Sequence, residues 1–311
     1  MFLRRFRTVL LALAALVSSL ALLAGCSGAG SPAPARSSRP AVATRTVSAG
    51  ASAGSADPAF ARLEARFHAH LGVYVLDTGT GRTVSFQAGR RFAFCSTYKA
   101  LATGILLMRG APLGQVIRYR ASDLVDYSPI TSQHVGTGMT LSAVMAAALE
   151  YSDNTAANLL LAQLGGPRRL QQDLRGIGDQ TTNSDRNEPS VNTATPGDPR
   201  DTSTAQALGT DLDRFVLGHL LSPGRRVLMT SWLRHNTTGG PYIRAGVPAG
   251  WTVGDKTGNG DWGTRNDIAI AWPRHSAPLV ISVLSSRGSA GATSDDALIA
   301  DATRTALADL R

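Results

Sequence analysis

Lysine is nearly missing from this 311-residue chain. Of its 31 Lys and Arg residues, only Lys99 and Lys256 are lysine. Arginine keeps its proton in proteins, so an amine that must act as a base has only these two places to come from. Glutamate is as scarce, with Glu64, Glu150 and Glu188 alone. Two cysteines, Cys26 and Cys95, exclude a disulfide framework. The six histidines are scattered. His68 and His70, two apart on an expected helix, do not share a face, so no metal spacing arises and no cofactor is expected. Aromatics make up 6% of the chain, and no basic run or aromatic-basic interleaving remains beyond residue 56. The formal net charge of +9 is concentrated at one end: six arginines and no acid fall in residues 1–56, leaving 25 basic and 22 acidic residues beyond them. That balance excludes nucleic acid as the main partner.

What is present suits a globular protein with a sizeable core: 43% hydrophobic and 17% charged residues, in alternating segments. Residues 1–26 read as a secretory signal. Arg4, Arg5 and Arg7 precede an apolar run from Val9 to Leu23, short for a membrane span. The run ends in Leu23-Ala24-Gly25-Cys26, which resembles a bacterial lipoprotein box. That resemblance implies lipidation of Cys26, a membrane attachment through that lipid alone, and an exported location: an outward-facing lipoprotein, or a secreted or periplasmic protein after processing. Residues 27–56 are Ser, Ala, Gly, Pro and Arg, a flexible tether. Gly50-Ala51-Ser52-Ala53-Gly54 formally matches a hydrolase nucleophile elbow, but no strand precedes it and no helix follows.

The folded part begins near Asp57. Phe60, Leu63 and Phe67 mark one face of a helix to about His68, followed by strands over Leu71–Asp77 and Arg82–Gln87 joined by a Thr-Gly-Thr-Gly turn. From Ser96 to about Arg234 the pattern is mainly helical, with helices over Thr140–Leu149, Thr155–Leu164, Asp211–Leu221 and Pro223–Leu233, and a long irregular stretch over Asp179–Thr202. Three Val- and Ile-rich strands follow, Trp251–Lys256, Arg265–Trp272 and Leu279–Ser285, then a helix over Ser294–Leu310. The fold class is therefore α+β: an antiparallel sheet flanked by N- and C-terminal helices, with an inserted all-helical domain and a site in the cleft between them. The expected boundaries put residues 57–90 and 232–311 in the α/β domain and 91–231 in the helical one.

Ser96 and Lys99 lie three apart, ahead of an apolar run from Ala100 to Met108. At the start of a helix they share a face, and a lysine with a lowered pKa can take the serine's proton. Cys95 beside them reads as packing. Ser152-Asp153-Asn154 falls between two helices, where a second hydroxyl can relay a proton and where an N-cap is equally natural. Lys256-Thr257-Gly258 reads as a strand end able to bind a carboxylate, with Arg265 on the next strand. In the long stretch, Glu188 could activate water, and Arg186 and Asp201 are placed to pin its neck.

Taken in order, Ser96-Thr97-Tyr98-Lys99, Ser152-Asp153-Asn154, Glu188 with Asn192, and Lys256-Thr257-Gly258 resemble the class A serine β-lactamases over residues 57–311. Asp123 to Pro129 and Thr237-Thr238-Gly239 fit as well. The resemblance implies a β-lactamase/D,D-peptidase-like fold and hydrolysis of penicillin- and cephalosporin-type rings by a monomer. It implies Ser96 as the acylated nucleophile, Lys99 and Glu188 as proton acceptors, and Ser152 as the proton relay to the lactam nitrogen. Glu188 with Asn192 would hold the deacylating water. Asn154 would contact the acyl side chain, Tyr127 would line the cleft, and Lys256, Thr257 and Arg265 would hold the substrate carboxylate. The amides of Ser96 and Asn259 would form the oxyanion hole, with Gly258 leaving room for substrate. Asn259 departs from the small residue usual there and implies altered substrate preference. A D,D-peptidase is the alternative, since such enzymes resemble the chain in their Ser-x-x-Lys and Lys-Thr-Gly motifs but lack the loop glutamate. A non-catalytic lipoprotein on the same fold is weakly supported, since no motif residue is missing.

Overall fold

The computed structural model describes residues 57–310. The signal, tether and Cys26 readings lie outside the described residues. Helix α1 (Asp57–Phe67) leads into strands β1 (His70–Asp77), β2 (Thr83–Phe86) and β3 (Arg91–Ala93), then helix α2 (Tyr98–Met108). Short strands β4 (Val116–Ile117) and β5 (Met139–Thr140) precede helices α3 (Leu141–Glu150), α4 (Asn154–Leu164) and α5 (Pro167–Gly176). Strand β6 (Thr202–Thr204) opens onto α6 (Ala205–Val216), α7 (Pro223–Arg234) and the short α8 (Ile243–Gly246). Strands β7 (Thr252–Gly260), β8 (Thr264–Trp272) and β9 (Leu279–Ser286) and helix α9 (Asp296–Asp309) complete the chain.

The main sheet runs β2-β1-β9-β8-β7, antiparallel throughout. Its strands alternate between two cores, as a period of two requires. Ala269, Ala271, Ile281 and Val283 face α1 and α9, together with Leu71, Val73 and Val75. Ile268, Ile270, Val280 and Leu284 face the other way and join the helical core built on α2, α3, α4 and α6. Helix α2 is apolar nearly all round because it is buried nearly all round. It approaches α6 so closely that a Cβ on Gly104 would lie 2.7 Å from the Phe215 ring.

Element limits are where the sequence expectation needs correction. Helix α6 starts at Ala205, capped by Thr204 Oγ1 accepting from Ala207 N–H, and ends at Val216; the expected Asp211–Leu221 is displaced toward the C-terminus. Gly209 lies in its first half. There a Cβ would stand 3.0 Å from Tyr74, so the glycine serves the close approach of helix and sheet. Lys256-Thr257-Gly258 does not end a strand, because β7 stays paired with β8 through Gly260↔Thr264. Helix α5 and the two-stranded pairs β3–β6 and β4–β5 were not anticipated.

Candidate active site

Ser96 sits in one 3-10 turn, Cys95–Thr97, just ahead of α2. Cys95 is held at φ +48, Ser152 at +58 and Tyr127 at +62. Side-chain residues adopt this left-handed region at a cost of about 1–3 kcal/mol each, so the surrounding packing over-determines these positions. Strand β7 supplies part of that packing. A Cβ on Gly258 would lie 2.7 Å from Phe94 O, and one on Gly260 would lie 2.6 Å from both Cys95 Sγ and Asn192 O. The two glycines let the strand press against the serine turn and the long loop.

Lys99 follows three residues later, fully buried. Its Nζ donates to Ser152 O at 2.7 Å and Asn154 Oδ1 at 2.6 Å, and lies 3.1 Å from Glu188 Oε1. Burial drives the amine below its ordinary range, while the Glu188 carboxylate opposes that shift. Ser96 Oγ donates to Glu188 Oε1 at 3.4 Å. Glu188 is 4% exposed and turned inward. Its backbone is gripped on both sides by Asn158, which donates Nδ2 to Glu188 O at 3.0 Å and accepts Glu188 N–H at 2.8 Å. Its Oε2 accepts from Asn192 Nδ2, whose own Oδ1 is buried without a partner among the described residues. Asp201 closes the loop, accepting the N–H groups of Asp185 and Arg186 and pairing with the Arg186 guanidinium.

The Ser152-Asp153-Asn154 segment divides its labour. Asp153 is the N-cap, accepting Ala156 N–H, and also holds Ile130 N–H and Thr131 N–H at 2.9 Å each. Asn154 uses both ends of its amide, Oδ1 on Lys99 and Nδ2 on Asp126 O, so it orients the lysine. Ser152 Oγ accepts from Lys256 Nζ at 3.0 Å. Lys256 also donates to Thr257 O, and its pKa is brought down to about 7 by burial and by the neighbouring Lys99 charge.

A cleft of about 220 Å3 is lined by Ser96, Tyr127, Ser152, Asn154, Asn192, Thr257 and Asn259, with Thr238 added. A larger groove between α7 and the start of β7 contains none of these residues. Arg265 does not line the cleft with the others: its guanidinium lies over the Tyr242 ring and its Nε is 2.9 Å from Asp296 Oδ1. Among the described residues no cluster of His, Cys, Asp and Glu is placed to hold a metal, and no helix is long and apolar enough to cross a membrane.

A sequence profile of the β-lactamase enzyme family matches residues 56–310. A β-lactamase of Bacillus amyloliquefaciens is 52% identical over 254 residues, 81% of this chain and 83% of that protein. The chain belongs to the class A β-lactamase family. A Nocardia asteroides β-lactamase, AST-1, is 47% identical over 308 residues, covering 97% of this chain and 96% of its own. Two solved structures agree in fold. A halotolerant bacterial β-lactamase is 51% identical with TM-score 0.80, covering 81% of this chain and 98% of that one. A class A β-lactamase from Clostridium kluyveri is 42% identical with TM-score 0.80, covering 82% and 98%. The enzyme is thus a β-lactam hydrolase of the serine type, and the D,D-peptidase alternative is set aside.

Asn158 and Asn236 escaped the sequence reading. Asn158 had a usable signal, lying one helical turn beyond Asn154 on the same face. Asn236 donates to Asp255 Oδ2 and accepts from Thr238, whose Oγ1 meets Thr257 Oγ1 at 2.6 Å. That chain of contacts between distant segments has no sequence spacing to betray it.

Proposed function

We propose that this β-lactamase works through an acyl-enzyme on Ser96 that Glu188 releases. In acylation, the Ser96 hydroxyl proton passes to the Lys99–Glu188 pair while Oγ bonds to the lactam carbonyl carbon. The ring C–N bond then breaks, and the nitrogen takes the Ser152 hydroxyl proton, which Lys256 and Lys99 are placed to replace. In deacylation, water gives a proton to Glu188 as its oxygen bonds to the ester carbon, and the serine leaves with its proton restored. Asn192 Oδ1, a buried acceptor without a partner among the described residues, is a natural hold for that water. Amides of Ser96 and Asn259 take the oxyanion, and Lys256 and Thr257 bind the substrate carboxylate. The observation that carries this reading is the buried Lys99–Glu188 pair at 3.1 Å with Ser96 Oγ 3.4 Å from the same carboxylate oxygen.

Glu188→Ala tests it. With benzylpenicillin the variant should accumulate a covalent adduct visible by intact mass, with turnover reduced by a factor of about 100 or more. Unchanged turnover would remove Glu188 from the mechanism. Ser96→Ala should form no adduct, and one found elsewhere would refute the nucleophile.

The same proposal extends to export. Cleavage before Cys26 and lipidation of its thiol would leave a monomeric enzyme outside the cell membrane, reaching its substrate from a tether of residues 27–56. The mass of the mature N-terminal peptide tests this, and an unmodified Cys26 would refute the anchor.

A further inference from the structure

Asn259 follows Thr257 by two residues on β7, so the two side chains share a face of the sheet and both line the cleft. Its amide presents donors at one end and an acceptor at the other. Beside a bound carboxylate the choice of end matters, because Nδ2 attracts the anion and Oδ1 repels it. A residue outside the cleft makes that choice. Tyr242, immediately before α8, is 4% exposed and donates its hydroxyl to Asn259 Oδ1 at 3.1 Å. With Oδ1 engaged there, Nδ2 is the end left for the cleft. The Tyr242 ring also carries the Arg265 guanidinium, 5.3 Å from its centroid, and Arg265 stands directly opposite Asn259 in the β7–β8 register. Burial pushes the phenol up to about 12, so it remains a donor at any ordinary working pH. One buried tyrosine thus touches Asn259, which lines the cleft, and Arg265, which does not.

We propose that Tyr242 is a positioning residue for substrate selection: it fixes the Asn259 amide so that Nδ2 donates to the carboxylate of the lactam substrate. The proposal rests on the reading that Thr257 and its neighbours bind that carboxylate. Nothing in the motif set marks Tyr242, because it acts through Asn259 and from a different segment.

The test compares benzylpenicillin with its methyl ester, which lacks the anion, in wild type, Tyr242→Phe, Asn259→Ala and the double variant. Tyr242→Phe keeps the ring under Arg265 and removes only the hydroxyl. It should raise KM for the acid by about three- to ten-fold with kcat nearly unchanged, and leave the ester's KM where it was. In the Asn259→Ala background the same change should do nothing. An unchanged KM for the acid, an equal effect on the ester, or an equal loss without Asn259 would each overturn the proposal. Thr257→Ala separates the two levels. If it raises the acid's KM while Tyr242→Phe does not, the Tyr242 role alone falls; if it leaves the acid's KM untouched, the carboxylate reading falls and takes this proposal with it. Should Tyr242→Phe fail to fold, Asn259→Asp keeps the acceptor for Tyr242 and replaces Nδ2 with a carboxylate oxygen. It should weaken the acid far more than the ester, and equal effects on both would again overturn the proposal.

Discussion

The long loop that carries Glu188 is tied at its start by a pair of buried carboxyls, and that pair makes the enzyme's stability depend on pH in a specific way. Asp179 Oδ1 accepts the N–H groups of Thr181 at 2.7 Å and Thr182 at 3.1 Å. Asp211, on α6, accepts Arg214 Nη1 on its own Oδ1 at 3.0 Å. The remaining Oδ2 atoms are buried without a hydrogen-bond partner among the described residues, and the Asp179 charge acts directly on Asp211. Two neighbouring buried carboxyls resist carrying two charges, so Asp211 keeps its proton to a higher pH. Asp179, with its N–H donors, is held low, while burial and the Asp179 charge push Asp211 up to about 8 against the pull of Arg214. An unfolded Asp titrates near pH ~3.9. Between that value and the folded one, the native state binds one proton more than the unfolded state, so stability falls as pH rises, by about 1.4 kcal/mol per pH unit from this group alone. Asp211→Asn removes the titration. From pH 5 to pH 7, wild type should therefore lose about 3 kcal/mol relative to Asp211→Asn, or a difference in Tm of about 5–10 °C for a domain of this size. Urea unfolding of both proteins across that range, followed by tryptophan fluorescence, reads the difference directly. Parallel curves of unfolding free energy against pH would refute the proton retained on Asp211.

Two further outcomes are expected. Asp201→Asn removes the buried charge that holds the Asp185 and Arg186 amides and the Arg186 guanidinium, and should cost about 3 kcal/mol; the acyl adduct should persist longer in a mass assay, because the loop carrying Glu188 loosens. For Lys256, lowered to about 7, the ratio of kcat/KM for benzylpenicillin over its methyl ester should fall as pH passes above about 7, where the amine loses the charge that attracts the anion; a flat ratio to pH 9 would show that Lys256 stays charged.

How much of this was legible from residues alone depends on how local each feature is. Ser96 and Lys99 were readable because one helical turn fixes their relation, and the sheet's last three strands because Val and Ile runs have a period. The inward turn of Glu188 was an expectation drawn from resemblance, and the Asn158 clamp that secures it was not seen. The first half of α6 and the far end of β7 were missed; Gly209 and Gly258, which lie there, each permit a close approach between elements far apart in sequence. Strands of two or three residues, such as β3 with β6, are too short to show any alternation. Arg265 was assigned to the carboxylate by its position on the next strand, and only coordinates show it engaged with Tyr242 and Asp296.

The thiol beside the nucleophile has a use of its own. Cys95 is wholly enclosed, roofed by the glycines of β7, and its burial raises its pKa far above that of a free thiol. Alkylating reagents should pass it by while the fold is intact. In a protein begun at residue 57 it is the sole sulfhydryl, so the speed at which a maleimide dye attaches becomes a clock for how often the strand lifts away from the serine turn.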